Sequence, residues 1–286
     1  MDRRRCKDIL KKIPNVNSPV GGENRLIHAA VVDGEVDGVQ FLLKKGANAK
    51  IPSQIGMTAL DLAHYLGHEQ LYALLGEADA PAIKVQLKGE ELRCMSGREL
   101  GAALGFRYLY FQRFEDYPQL ENVHELCAYS RDKGYMHTER VYLGMTYSKE
   151  IASGELADIS VRWIDDALGH GLFAEAYLPR WTLVGVYAGV VSRRPWLGTG
   201  MGDYTFRYPI GELYPKRYVI DAEKEGNALR FMNHSDDPNC SSIACFYKGI
   251  MHLVVFTHRN VEPGQQLCFD YGAHYWGKRP YVQTPS

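Results

Sequence analysis

The sequence predicts an α+β protein in which a short helical segment precedes a mostly β region built from several small sheets. From about residue 158 the chain consists of short β-branched and aromatic runs, such as residues 183–187 and 251–256, separated by Gly, Pro, Asn and Asp. Such runs with tight turns are typical of short strands. Within the first 80 residues, in contrast, a helical pattern occurs twice at a fixed spacing.

The composition is that of a globular chain with little net charge. Of the 286 residues, 45% are hydrophobic and 23% are charged, and the formal net charge is −1. This length has room for two compact units. Because no overall positive field would attract a phosphate backbone or an anionic lipid surface, we expect neither direct nucleic-acid binding nor membrane binding.

The cysteines and the hydropathy pattern predict an intracellular, soluble protein without a metal site. The six cysteines are scattered and form no CxxC or CxC pair of the kind that begins a zinc site. No signal peptide and no apolar run of bilayer length is recognisable. We therefore expect a reducing compartment and mostly buried thiols.

The helical pattern of the first 80 residues is repetitive. Residues 24–30 are echoed by residues 58–64, a spacing of 34 residues, and a second helical stretch follows each copy. This unit of helix, turn, helix and Gly-Ala loop resembles an ankyrin repeat, and about two units are present behind a capping helix in residues 3–13. The resemblance implies either a packing appendage or a segment that recruits a partner, and the fold alone does not choose between them.

Residues 81–157 are predicted to form a mixed, ordered connector. Pro81 breaks the preceding helix, residues 97–105 predict a short helix, and a tyrosine-rich stretch follows. These aromatic residues are either core and surface residues or a cage for a methylated ammonium group. The predicted organisation is a helical segment at 1–80, a connector at 81–157, a β domain at 158–276 and a C-terminal tail at 277–286.

Two long motifs lie in the β region. The first reads Tyr-x-Ile-Asp-Ala at residues 218–222, Gly-Asn at 226–227 and Arg-Phe-x-Asn-His-Ser at 230–235, and the second reads Phe-Asp-Tyr-Gly at 269–272. With the Gly-His-Gly turn at 169–171, they resemble the SET family of protein-lysine methyltransferases. The resemblance implies the SET fold, in which several small sheets surround a pseudoknot that threads the Asn-His-Ser segment past the C-terminal tyrosine.

The resemblance also implies the chemistry. A methyl group would pass from S-adenosylmethionine to a lysine amine, leaving S-adenosylhomocysteine, and no metal is needed. Such a displacement requires that the donor, the methyl group and the neutral amine lie in line and that water is excluded from the site. An apolar channel beside a cationic sulfonium lowers the pKa of the lysine amine by desolvation and like-charge repulsion.

The resemblance assigns roles to individual residues. Tyr271 is the expected active-site tyrosine and Tyr204 a second catalytic tyrosine, both with positioning and electrostatic roles. The expected cofactor site consists of Gly169, His170, Gly171, Arg230, Asn233, His234 and Tyr271. The expected substrate channel consists of Tyr204, Phe269, Tyr275 and Trp276.

Some of these residues have a second interpretation, and the chain departs from the family pattern. Arg230 is either a ligand contact or a buried structural cation, and His234 resembles a structural histidine more than a base. Asp236 stands where many members have a cysteine and no cysteine-rich tail follows, so Tyr275 and Trp276 are expected to close the channel. Phe269, where some members have tyrosine, predicts di- or trimethylation.

The favoured substrate is the basic tail of a histone, H3 first, which implies a nuclear location. One alternative is a nonhistone substrate chosen by a partner-binding ankyrin segment. Another is an ankyrin-based scaffold whose SET fold is inactive. Chains that join ankyrin and SET units also occur among proteins that intracellular bacteria deliver to hosts, so a secreted effector in a host nucleus is a further expectation by analogy.

Overall fold

A computed structural model of the protein describes residues 1–76, 82–193, 202–210 and 218–272. No helix in these ranges is long and apolar enough to cross a membrane. The chain divides into two compact units. Unit 1 consists of the described residues of Met1–Asp79, Arg113–Tyr129 and Lys248–Ile250, and unit 2 of those of Ala80–Gln112, Ser130–Tyr247 and Met251–Ser286.

The described α-helices all lie before residue 154, and most of the described strands lie after residue 158. The helices are α1 (Arg3–Leu10), α2 (Leu26–Val32), α3 (Val36–Lys44), α4 (Ala59–Tyr65), α5 (Glu69–Leu75), α6 (Gly97–Leu104), α7 (Tyr117–Asp132), α8 (Thr138–Thr146) and α9 (Ser148–Ser153). The strands are β1 (Pro19–Gly21), β2 (Asn24–Arg25), β3 (Ile83–Gln86), β4 (Arg93–Met95), β5 (Arg107–Tyr108), β6 (Arg113–Phe114), β7 (Ile159–Asp165), β8 (Gly169–Ala174), β9 (Leu183–Val186), β10 (Gly189–Arg193), β11 (Thr205–Arg207), β12 (Tyr218–Gly226), β13 (Asn233–His234), β14 (Cys240–Tyr247), β15 (Ile250–Thr257) and β16 (Gln266–Phe269).

Unit 1 contains two consecutive helical hairpins. Helices α2 and α3 form the first and α4 and α5 the second, with α2 against α4 and α3 against α5. The two hairpin turns contain Gly34 at φ 71° and Gly67 at φ 70°, a left-handed conformation that glycine adopts without steric cost. Thr58 and Asp61 form a capping box that starts α4. The helix-turn-helix units that the 34-residue spacing predicts are therefore present, and α1 packs on α3.

Unit 2 is built from several small sheets, as predicted. One has the strand order β13–β16–β8–β7–β3–β4, and another consists of β14–β15–β9. A further sheet contains β11–β12–β10, with β5 parallel to β12. Large apolar side chains such as Leu100, Leu172 and Tyr208 are fully buried in this unit.

Within its described part, the region predicted as a connector at residues 81–157 contains helices and strands. Strand β3 pairs parallel to β7 and so extends the sheet of the C-terminal region, and α8 packs on β14. The contact between α8 and β14 is close because Gly144 lies against the main chain of Phe246. The domain boundaries after residues 80 and 157 stay predictions, and the one after residue 276 lies outside the described residues.

The pairing of β13 with β16 decides where the site forms. These strands are parallel, with Asn233 opposite Cys268 and His234 opposite Phe269. The buried Asn239 side chain fixes the neighbouring segment, since its amide donates to the Gln266 carbonyl at 2.8 Å and its carbonyl accepts from the Cys268 N–H at 2.9 Å. The Asn-His-Ser segment and the C-terminal tyrosine segment thus lie side by side.

Candidate active site

A cavity of about 420 Å³ lies in unit 2, where the ends of several elements meet. Its volume falls within the range of about 300–1,000 Å³ that is usual for ligand pockets. The wall combines apolar side chains with hydroxyl, amide and charged groups. The lining residues are Leu104, Leu168, Gly169, His170, Asp203, Tyr204, Arg230, Phe231, Asn233 and Tyr271.

The turn between β7 and β8 supplies one side of the cavity. Asp165 shapes the turn, because its carboxylate accepts from the N–H groups of Ala167 at 2.8 Å and Leu168 at 2.7 Å. Gly169 has φ 70°, and a Cβ at this position would point into open space. At Gly171 a Cβ would lie 2.6 Å from the Gln266 amide nitrogen and 2.7 Å from Ile164 Cδ1, so the ends of these two side chains would have to move.

His170 brings an unpaired nitrogen to the site. Its ring lies edge-on to Trp163 at 5.2 Å and to Phe231 at 5.8 Å between centroids. Burial lowers the pKa of His170, which favours the neutral ring. Within the described part of the chain, the buried Nε2 has no hydrogen-bond partner. Because buried polar atoms are normally paired, this atom fits a site that takes a polar ligand.

Asn233 links the glycine turn to β13. Its amide nitrogen donates to the His170 carbonyl at 3.3 Å. The amide is half-buried and also lies in the cavity wall. A hydrogen bond from a side chain to a turn carbonyl fixes both groups, so Asn233 presents its remaining polar atom in a defined orientation.

Tyr271 is held by contacts on three sides. Its hydroxyl donates to the Met232 carbonyl at 2.8 Å, and its backbone N–H donates to His234 Nδ1 at 3.2 Å. Its ring lies 5.0 Å from Phe269 and 5.4 Å from His234 between centroids. The hydroxyl is therefore placed at the cavity by residues of both long motifs.

Arg230 contributes a cation whose donors are partly used by the fold. Nε donates to the Ala222 carbonyl at 2.9 Å and Nη2 to the Glu223 carbonyl at 3.0 Å. The guanidinium also lies over the rings of Tyr204 at 4.1 Å and Phe106 at 4.5 Å. Burial lowers the pKa of Arg230. These contacts give Arg230 a structural role, and its place in the cavity wall leaves the ligand contact as a prediction.

A row of aromatic rings runs beside the cavity. Tyr187 packs on Phe206 at 4.7 Å, Phe206 stacks on Phe269 at 5.6 Å, and Phe269 contacts Tyr271. The buried Tyr187 hydroxyl donates to the Tyr204 carbonyl at 2.8 Å, and burial raises its pKa. The row is a continuous apolar surface that reaches the cavity at Tyr271.

The structure places the predicted site residues in different ways. Gly169, His170, Tyr204, Arg230, Asn233 and Tyr271 line the cavity. Gly171, His234 and Phe269 are not among the lining residues of the described chain. Gly171 directly follows the lining residue His170 on β8, and His234 and Phe269 both contact Tyr271. Tyr275 and Trp276 lie outside the described residues.

Sequence reasoning missed several residues that shape the site. Tyr187 begins a Tyr-x-Gly stretch at residues 187–189, and only the structure shows that its hydroxyl donates to the Tyr204 carbonyl. Asn227 is buried and donates to the Val186 carbonyl at 2.7 Å, a role that the Gly-Asn motif did not specify. Leu104 reaches the cavity wall from α6, in a region without a motif that could have indicated it.

A profile of the SET domain family matches residues 169–272, the part of the chain that contains this site. The chain is similar to histone-lysine N-methyltransferase 2B of Homo sapiens, with 35% identity over 111 residues, covering 36% of this chain and 4% of that protein. It is also similar to histone-lysine N-methyltransferase SETD2 of Mus musculus, with 33% identity over 125 residues, covering 43% of this chain and 5% of that protein. An H3 lysine-36 specific histone-lysine N-methyltransferase of Cryptococcus neoformans is 28% identical over 134 residues, covering 46% of this chain and 16% of that protein.

Among solved structures, the chain resembles KRYPTONITE in complex with mCHG DNA and SAH at a TM-score of 0.35 and 25% identity. That match covers 43% of this chain and 26% of the other. The chain thus spans a small share of the length of each relative. Residues 169–272 therefore match the SET domain family, and each sequence match covers less than half of this chain.

Proposed function

We propose that this chain is an S-adenosylmethionine-dependent protein-lysine N-methyltransferase. One observation carries the proposal: the Tyr271 hydroxyl, the Asn233 amide and the glycine turn of β8 meet at one cavity, although they come from three separate parts of the sequence. The relatives are named as histone-lysine N-methyltransferases, which supports the same activity. Convergence of distant polar groups on one pocket is what a bisubstrate reaction needs.

The residues present fit the methyl donor. The buried His170 Nε2, which has no partner among the described residues, and the open space beside Gly169 suit a polar ligand. The main chain of the turn and the Asn233 amide would hold this ligand, with Arg230 at the wall. When bound, S-adenosylmethionine supplies an electrophilic methyl group on a sulfonium and leaves as S-adenosylhomocysteine.

The protein's own part is to position and desolvate the lysine amine. The aromatic row from Tyr187 to Tyr271 offers an apolar wall, in which the pKa of a lysine amine falls and the neutral form is favoured. The Tyr271 hydroxyl would orient the amine through its oxygen, with Tyr204 as a second wall residue. Neither tyrosine needs to form a covalent bond for this chemistry.

The proposed substrate is a basic protein tail, with histone H3 favoured. Support comes from relatives named as histone-lysine N-methyltransferases and from one named as H3 lysine-36 specific. This substrate implies a nuclear location. A nonhistone protein remains the alternative outcome of the test below.

The test is to incubate the purified protein with radiolabelled S-adenosylmethionine and mixed core histones. We expect label on histone H3 and none with Asn233→Ala, which calorimetry should show to bind the donor at least about tenfold more weakly. If the chain binds the donor but no histone is labelled, a nonhistone protein is the substrate to test. Failure of the wild-type chain to bind the donor would refute the methyltransferase and favour an inactive scaffold.

Phe269 determines the expected product. Its ring stacks between Phe206 and Tyr271 and presents no hydroxyl to the proposed amine position. We expect the wild-type chain to form di- or trimethyl-lysine, and Phe269→Tyr to shift the product toward monomethyl-lysine because an added hydroxyl would bind a water in the space for a second methyl. Mass spectrometry of the modified peptide measures the distribution. An unchanged distribution in Phe269→Tyr would contradict this role.

We also propose that the helical hairpins of unit 1 are ankyrin-type repeats that recruit a protein partner or the substrate. The support is the 34-residue spacing and the repeated left-handed glycines at Gly34 and Gly67. Recruitment can be tested by comparing the KM of this chain for whole histone with its KM for a short tail peptide. A lower KM for whole histone would support recruitment.

A further inference from the structure

Asp236 directly follows the Asn-His-Ser segment, at a position where the chain departs from the SET pattern. Its side chain is 62% exposed, so the fold does not require a carboxylate there for packing. Nevertheless it makes a defined contact, because its Oδ1 lies 3.2 Å from His234 Nε2. An exposed residue with a specific contact to a buried one is a candidate for a functional role.

The contacts of His234 fix which ring nitrogen carries the proton. The Tyr271 backbone N–H lies 3.2 Å from His234 Nδ1, and a backbone N–H can only donate. Nδ1 must therefore accept, which leaves the proton of the neutral ring on Nε2, facing Asp236. Asp270 Oδ1 lies 3.6 Å from Nδ1 but accepts from the Gly272 N–H at 2.8 Å instead.

His234 in turn is part of the support of Tyr271. Its side chain is only 4% exposed, and its ring centroid lies 5.4 Å from that of Tyr271. A rotation of the imidazole would remove the acceptor of the Tyr271 N–H and change the surface on which the tyrosine ring packs. The orientation of the imidazole thus bears directly on where the Tyr271 hydroxyl lies.

We propose that Asp236 is a positioning residue for Tyr271. By accepting the Nε2–H of His234, Asp236 holds the imidazole in the orientation in which Nδ1 binds the Tyr271 N–H. A carboxylate that orients a histidine in this way is a common support for functional groups. The kinetic consequence rests on the proposed methyl transfer, whereas the contact itself can be tested without activity.

The kinetic test compares Asp236→Ala, Asp236→Asn and Asp237→Ala in the full chain. Asp237 is the matched control, since it is the adjacent exposed aspartate and pairs with Arg259 at 2.8 Å. We expect Asp236→Ala to lower kcat about tenfold with the KM values for donor and histone within about twofold. Asp236→Asn keeps an acceptor oxygen and should retain most of kcat, and Asp237→Ala should behave as the wild type.

Two kinetic outcomes would overturn the proposal. If Asp236→Asn lowered kcat as much as Asp236→Ala, the charge of Asp236 and not its acceptor oxygen would matter, and the proposed acceptor role would be refuted. A rise in the histone KM in both Asp236→Ala and Asp237→Ala, with kcat unchanged, would assign Asp236 to attraction of the basic substrate.

A nitrogen-15 NMR measurement of the His234 imidazole separates this proposal from the proposed function. We expect the Nε2–H tautomer in the wild type and in Asp236→Asn, and a shift of the Tyr271 amide signal in Asp236→Ala. If these signals are found in a chain that methylates no substrate, the positioning role of Asp236 is supported and the proposed methyltransferase activity is refuted. An Nδ1–H tautomer in the wild type would overturn the positioning whatever the activity.

Discussion

The Tyr271→Phe variant is expected to lose about 100-fold or more in kcat for lysine methylation while it binds S-adenosylmethionine with nearly unchanged affinity. The hydroxyl is the polar group that the two long motifs jointly bring to the cavity, and its hydrogen bond to the Met232 carbonyl fixes its direction. The variant removes only the hydroxyl, so the ring and the main chain of Tyr271 remain as part of the cavity wall. Single-turnover transfer of label and calorimetric binding of the donor measure the two effects separately.

The control for this variant is Tyr142→Phe, which removes a hydroxyl from a tyrosine of α8 that is 69% exposed. It should keep wild-type kcat. Tyr271→Phe also loses a hydrogen bond within the fold, which costs about 1 kcal/mol, so its melting temperature must be compared with that of the wild type. A folded Tyr271→Phe protein with more than about a third of the wild-type kcat would contradict the role of the hydroxyl.

Gly144→Ala is expected to destabilise unit 2 by about 3 kcal/mol. On a solvent-exposed helix this change would stabilise the protein by about 1 kcal/mol, because alanine has the higher helix propensity. At Gly144, however, the added Cβ would lie 1.8 Å from the Phe246 carbonyl oxygen and 2.6 Å from its carbonyl carbon. Both are main-chain atoms of β14, so α8 would have to move away from the sheet.

Denaturant unfolding followed by intrinsic fluorescence measures this loss. Thr146→Ala is the control on the same helix, because Thr146 is exposed, and it should change the unfolding free energy by no more than about 0.5 kcal/mol. A Gly144→Ala protein as stable as the wild type would mean that α8 does not pack on β14 as described. The same contact buries Ile151, Val186, Cys245 and Val254 beside it, which explains why the connector is part of the fold.

The fold class followed from local patterns because those patterns have local causes. Two helix-turn-helix stretches with glycines at matching turns predict the hairpins of α2 to α5, and short runs between turn residues predict strands such as β9 and β15. Helix α6 illustrates the point: Ser96 caps its start and Gly105 ends it in the left-handed conformation, and both signals are readable in the sequence.

The connector was the least predictable part, for a physical reason. Strand β3 pairs locally with β4, but these two strands join the larger sheet only where β3 pairs with β7, which lies more than seventy residues later in the chain. The packing of helix α8 likewise depends on Gly144, and the need for a glycine there becomes clear only from its contact with β14. Nothing in either local sequence specifies a distant partner, since hydrogen bonding and close packing are properties of pairs of segments.

In the candidate site, too, some features follow from the sequence and others only from the tertiary structure. The sequence by itself determined the identities of the cavity-wall residues Gly169, His170, Asn233 and Tyr271, because their motifs have a recognisable order and spacing. Tertiary structure alone decided that His234 accepts from the Tyr271 N–H, that Arg230 donates to main-chain carbonyls, and that Asp236 lies beside the His234 imidazole. The reason is that a motif specifies which groups are present, whereas the pairing of β13 with β16 decides which atoms come within hydrogen-bonding distance.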